Sequence, residues 1–269
     1  MRLLLVADLH YSLPQFDWVL EMAADFDVVV MAGDHLDVAS VVDGRAQSVV
    51  VRKYFSRLRA RTRLVICSGN HDLDSNNEAG EKVAKWLGKS QNEGVLSDGE
   101  SFVLDDTLFT ICPWWDGPIV RAGIAAQLAA AAAKRTEQTK QWVWVHHAPP
   151  AQSPVSWGGS RHFGDVELRQ WIERYEPDIV LSGHVHQSPF VDDGSWVDRI
   201  GTTWVFNAGQ HPGAPPAHIV IDTDASEALW FSAAGSQVVS LGDPLKRPVR
   251  QLEAIPDWLK AADRPRYPG

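Results

Sequence analysis

Gly69-Asn70-His71-Asp72 sets an amide oxygen, an imidazole and a carboxylate side by side in one turn. It follows Arg63-Leu64-Val65-Ile66-Cys67, a short and mostly apolar run that reads as a buried strand. Glycine at the strand's end lets the backbone turn sharply without a Cβ penalty. Four more clusters of this kind end other strand-like runs: Asp8-Leu9-His10, Gly33-Asp34-His35, Val145-His146-His147 and Gly183-His184-Val185-His186. Five such clusters at five strand ends are not what packing alone produces. Carboxylate, amide and imidazole without thiolate suit Mn²⁺, Fe, Zn²⁺, Co²⁺ or Ni²⁺, and are too nitrogen-rich for Ca²⁺ or Mg²⁺. A structural zinc site would be closed and rich in cysteine. The ligands are too many for one ion, so two divalent transition-metal ions sharing a carboxylate are the expected cofactor. Such a pair, roughly 3.5–4 Å apart, activates water and clamps the oxygens of an in-line displacement at phosphorus. His146 and His147 are adjacent, and sequence alone leaves either as the ligand.

The elements that must position these groups follow a pattern. Leu3 to Ala7 is apolar throughout, as in a parallel strand covered on both faces. Ser12 and Pro14 mark a helix start, and Phe16, Val19, Leu20 and Ala23 give that helix one apolar stripe. Val28 to Ala32 is a second strand. A helix over 44–60 follows, with Ala46, Val50, Tyr54 and Leu58 on its buried side, and Leu64 to Cys67 is the third strand. Strand, helix, strand, helix, strand is the alternation of a parallel α/β sheet. Ser101–Leu104 and Leu108–Cys112 read as an antiparallel hairpin, and Gly123–Lys134 as a helix by propensity. Trp142–Val145 and Asp178–Ser182 are further strands, with a helix through Leu168, Trp171, Ile172 and Tyr175 between them. Thr203–Phe206, His218–Asp222 and Ala228–Phe231 are expected to form a second sheet with antiparallel neighbours. Residues 1–242 are read as one domain and the proline-rich 243–269 as an extended tail packed on it, anchored by Ile255 and Trp258.

In open α/β sheets ligands gather beyond the carboxyl ends of the strands, which would draw all five clusters around one crevice. The ordered set of Asp-x-His, Gly-Asp, Gly-Asn-His-Asp, His and Gly-His-x-His over about residues 8 to 186 resembles the calcineurin-like metallophosphoesterase superfamily. The resemblance implies two mixed β-sheets packed as a sandwich and flanked by helices. It implies one ion between Asp8, His10, Asp34 and His186, and the other between Asp34, Asn70, His146 and His184, with Asp34 bridging. The family's histidine begins a His-x-Pro-like turn, which selects His146 over His147. His71 matches the family's non-ligand histidine, which hydrogen-bonds a phosphoryl oxygen or protonates the leaving group, and Asp72 would orient it. Asn207-Ala208-Gly209 matches a late Asn-x-Gly turn near the site.

Candidate substrate contacts are His35, His147, Asn207, and Trp114 and Trp115 in a proline-bounded loop. His162 and His211 read as solvated loop residues and His218 as structural. The resemblance implies a hydrolase of small-molecule phosphoesters. Phosphodiesters, including cyclic nucleotides, are the leading substrates because the motif turns supply histidines and no arginine, with Ser68 before Gly69 and His35 after Asp34; phosphomonoesters are the alternative. Protein phosphatases of the superfamily usually carry arginine just before Gly-Asn-His, where this chain has Ser68. A formal net charge of −9 argues against a nuclease or other nucleic-acid partner. A non-catalytic binding protein of the same fold would have lost ligands that are intact here. No targeting segment or membrane span is visible. Cys67 and Cys112 read as buried free thiols of a reducing cytoplasm.

Overall fold

The computed structural model describes residues 1–91, 93–136 and 138–260. Its elements in chain order are β1 (Arg2–Val6), α1 (Leu13–Met22), β2 (Val28–Ala32), α2 (Gly44–Arg59) and β3 (Arg63–Cys67). Then come the short pair β4 (Ser75–Asn76) and β5 (Lys82–Val83), α3 (Lys85–Gln91), β6 (Ser101–Leu104), β7 (Thr107–Ile111) and α4 (Pro118–Lys134). They are followed by β8 (Gln141–Val145), α5 (Val166–Tyr175), β9 (Ile179–Ser182), β10 (Val197–Ile200) and β11 (Thr203–Asn207). The chain ends in β12 (His218–Asp222), β13 (Glu227–Ser232), β14 (Gly235–Ser240) and β15 (Arg250–Gln251).

Two mixed sheets result, in the orders β15-β14-β13-β12-β1-β2-β3 and β10-β11-β9-β8-β7-β6. In the first, β1, β2 and β3 run parallel and β12 joins β1 antiparallel. In the second, β7, β8, β9 and β11 run parallel, with β6 and β10 as antiparallel edges. Side chains alternate across each strand, so each sheet has two apolar faces. Leu3, Leu5, Val28 and Val30 meet Ile111, Val143, Val145 and Leu181 between the sheets. Leu4, Val6, Val29 and Met31 pack outward against α1, α2 and α3. Leu108, Trp142, Trp144 and Val180 pack outward against α4 and α5. The expected sandwich flanked by helices is what forms, and two details differ from the sequence reading.

The strands from 203 onward do not make one sheet: β11 continues the second, parallel to β9, while β12 and β13 extend the first. On α2 the buried residues are Gln47, Val51, Phe55 and Leu58, one position on from most of the expected stripe. Gln47 is buried because its amide is fully employed. It accepts the Asp37 N–H (2.8 Å) and donates to the carbonyls of Asp37 (2.9 Å) and Val42 (2.8 Å).

Beyond residue 242, β15 adds to β14, and Ile255 and Trp258 lie on the cluster beneath the first sheet. The Trp258 indole donates to Glu227 at 2.7 Å. The rest of the expected tail, 261–269, lies outside the described residues. Among the described residues no helix is long and apolar enough to cross a membrane.

Candidate metal centre

The chain leaves β1, β2 and β9 through turns that place Asp8 (φ 56°), Asp34 (φ 52°) and His184 (φ 69°) in the left-handed region. Asp and His enter that region more readily than most side chains, and such strain gathers at functional sites. The turns lock to one another through the carboxylates. Asp34 Oδ1 accepts the His71 N–H at 2.8 Å, and Asp8 Oδ2 accepts the His184 N–H at 2.9 Å. Two motif glycines are required by close approach. A Cβ on Gly69 would lie 2.1 Å from Asp34 Oδ1, and one on Gly33 (φ +86°) would lie 2.3 Å from His147 Nδ1.

Two carboxylates and five imidazoles converge. Asp34 Oδ2 lies 3.2 Å from His147 Nε2 and 3.9 Å from the Nε2 atoms of His10 and His71. Asp8 Oδ1 lies 3.2 Å from His186 Nε2, 3.8 Å from His147 Nε2 and 3.9 Å from His10 Nε2. His10 and His186 bring their Nε2 atoms within 3.1 Å of each other. Asp8, His10 and His186 form one group with donor geometry for an ion, and Asp34, His147 and His184 another. Asp34 also groups with His10 and His71, so it stands between the two. Asn70 Oδ1 is buried with no hydrogen-bond partner among the described residues, as an oxygen reserved for an ion would be.

Electrostatics point the same way. Asp8 and Asp34 are almost fully buried, and among the described residues neither pairs with lysine or arginine. Burial works against charge on Asp34, but His147 and the His71 N–H outweigh it and hold the carboxyl well below its usual range. Burial also works against charge on His147, yet Asp34 and Asp8 push it up to about 10. The His147 Nδ1 meets the Ala32 carbonyl at 2.7 Å, which fixes that nitrogen as the N–H donor. Its Nε2 therefore faces the carboxylate oxygens of Asp34 and Asp8, where a proton or a metal ion can sit between them. The donor set present fits divalent transition-metal ions.

The sequence-selected residues do not all converge. Asp8, His10, Asp34, His71, His184 and His186 do, and Asn70, next to His71 in the chain, keeps its side-chain oxygen buried and unpartnered among the described residues. His146 does not: its ring stacks on Trp115 at 4.8 Å and 5°, with both nitrogens buried and unpartnered among the described residues. His147 takes its place. The reason is strand parity. Val143 and Val145 face inward and Trp144 outward, and the ladder continues past β8, so 147 faces inward and 146 outward.

Asp72 does not meet the His71 ring. It accepts N–H groups from His35 (3.0 Å), Leu36 (3.1 Å) and Gly69 (2.9 Å), tying the two turns together. His35 points away from the centre, its Nε2 on the Cys67 carbonyl at 3.0 Å and its ring edge-on to Phe55. Asn207 is a fully buried staple, donating to Val155 and Val185 carbonyls and Ser188 Oγ while accepting from Gly209. Neither is placed to touch a substrate. Trp114 does border the centre, with its ring 5.2 Å from His184 and 5.6 Å from His147. Its backbone N–H donates to Ser68 Oγ at 2.9 Å, which anchors it to the turn before Gly69.

Solved structures share this architecture. TT1561 of Thermus thermophilus matches with a TM-score of 0.56 at 13% identity, covering 89% of this chain and 98% of that one. A dimetal phosphatase from Danio rerio matches at 0.54 and 11%, covering 90% and 99%. Purple acid phosphatase PPD1 from yellow lupin seeds matches at 0.53 and 14%, covering 90% of this chain and 52% of that one. At these identities the likeness establishes the fold. A search of curated proteins finds no match. The family model described as calcineurin-like phosphoesterase matches residues 1–188. That match takes in every metal-type cluster from Asp8 to His186, and the chain belongs to the calcineurin-like phosphoesterase family, metal-dependent hydrolases of phosphoester bonds with a dinuclear divalent metal centre.

Proposed function

We propose that this metal-dependent phosphoesterase hydrolyses small phosphodiesters, and that its two ions are held by Asp8, His10, Asp34 and His186 on one side and Asp34, Asn70, His147 and His184 on the other. When bound, the ion pair supplies an activated water and neutralises charge on the phosphoryl oxygens. Asp34 would be shared by the two ions, and the backbone N–H groups of His71 and His184 keep the two carboxylates aimed. His71 is the general acid: its Nε2 sits at the edge of the centre, 3.9 Å from Asp34 Oδ2, and delivers a proton to the departing oxygen. Trp114, beside His184 and His147, forms a wall on which a flat substituent of the substrate can stack. Cys67 and Cys112, both buried and unpaired, support a reducing compartment such as the cytoplasm.

One observation carries the preference for diesters. A monoester dianion asks for arginine or lysine beside the metals, whereas a monoanionic diester does not. Arg121, in the first turn of α4, pairs with Glu167 at 3.2 Å, and Arg161 lies over Phe163 at 4.5 Å; Arg45, at the start of α2, lines the cavity beside His71 among Asp37, Asp43 and Asp74. The test is kcat/KM under one Mn²⁺ condition for bis(4-nitrophenyl) phosphate, 4-nitrophenyl phosphate, and 2′,3′- and 3′,5′-cyclic nucleotides. Diesters are expected to lead. A monoester preference that disappears in Arg121→Ala or Arg161→Ala would overturn the assignment while leaving the metal site intact.

A further inference from the structure

His71 bounds one side of the centre, and a cavity of about 400 Å³ opens there. Small-molecule sites run from about 300 to 1,000 Å³, so this space suits one portion of a ligand. Its walls are the loop after β2, the start of α2, the residues after His71, and Trp86 of α3. Leu36 and Trp86 are buried in its floor, while Val38 is 70% and Val42 37% exposed at its rim. Exposed valines beside a reactive histidine leave apolar surface for a ligand to cover. The loop that carries them is held in shape by the Gln47 amide through Asp37 and Val42, so the cavity is formed in advance.

The charge of the wall is one-sided. Asp37, Asp43 and Asp74 line it against a single cation, Arg45. Each carboxylate is fixed through one oxygen: Asp37 by the Ala39 N–H (2.8 Å), Asp43 by the Arg45 N–H (2.9 Å) and Asp74 by the Trp86 N–H (3.3 Å). Their field opposes an anion entering beside His71.

We propose that this cavity seats the departing alcohol of the substrate, admitting alcohols that are uncharged or cationic with an apolar portion and rejecting anionic ones. The proposal rests on the diesterase reading of the centre, in which His71 serves the leaving oxygen. Hydrolysis adds one water to phosphorus and breaks the P–O bond to the departing alcohol. That alcohol's oxygen keeps the electron pair and takes its proton from His71, which a proton of the attacking water restores.

The test compares two diesters of comparable leaving-group acidity, methyl 4-nitrophenyl phosphate and methyl 3-carboxy-4-nitrophenyl phosphate, with Mn²⁺-loaded protein. Wild type should favour the uncharged leaving group by about tenfold in kcat/KM, the effect of a like charge several ångströms away in a partly solvated site. Asp43→Asn/Asp74→Asn keeps the backbone contacts and removes two charges, so the preference should fall to about threefold or less with metal content unchanged. Because Asp43 caps α2, Asp74→Asn alone serves as a second variant and should move the ratio in the same direction. Equal kcat/KM for the two substrates in wild type, or a preference unmoved in both variants, would overturn the proposal. Hydrolysis of neither diester by metal-replete wild type would overturn the diesterase reading and the proposal together.

Discussion

One step along an extended chain separates His146 from His147, and that step decides which ring turns toward Asp34 and Asp8. His147→Ala should lose about one of two bound ions and most activity. His146→Ala should keep both ions, because its ring packs on Trp115. Metal analysis after Mn²⁺ loading separates the two, and the reverse pattern would restore His146 as ligand. His71→Ala should retain both ions and lose rate by about 10²–10⁴, less for very good leaving groups. Loss of metal in that variant would make His71 a ligand rather than an acid. Most of the centre was legible residue by residue because its chemistry is written in side-chain types at strand ends. The choice between the two histidines was also present in the sequence: the inward parity of Val143 and Val145 continues to 147. The roles of Asp72 and Asn207 were not legible, since their partners are backbone groups of distant loops.

At the scale of elements, the parallel strands and their helices were legible from apolar runs and periodicity, while α2 shows the limit of pattern reading. A buried glutamine looks polar in the sequence, so the apolar periodicity reads one position early. Phe55, fully buried against His35 and Trp86, is the anchor of that face. Phe55→Ala should cost about 3–5 kcal/mol, whereas Val50→Ala, on the stripe the sequence suggested, should cost under about 1 kcal/mol. Urea unfolding of the two variants checks this, and equal costs would contradict the observed helix face. The grouping of the late strands was equally hidden, because alternation within a strand does not say which neighbour it pairs with. β12 and β13 therefore joined the first sheet and β11 the second.

The whole molecule presents the centre at the carboxyl ends of strands from both sheets, so global stability and metal binding are coupled. Away from the centre, the buried His218 ring makes that stability depend on pH. Burial lowers it from the ordinary 6.5 to about 4, although the Pro216 carbonyl partly offsets this. The unfolded ring takes up a proton below about 6.5 while the folded one resists until about 4. Its contribution is therefore complete above that upper value and is lost as pH falls through the window. Unfolding midpoints measured from about pH 7 to about pH 4.5 should fall more steeply in wild type than in His218→Gln, and parallel curves would contradict the role given to the ring. The central claim, a pair of ions shared through Asp34, is tested most directly by counting metal in purified, Mn²⁺-loaded wild type and Asp34→Asn. About two ions per chain in the wild type and a loss of most metal and activity together in the variant are expected. No more than trace metal in the wild type, or two ions retained in Asp34→Asn, would contradict it.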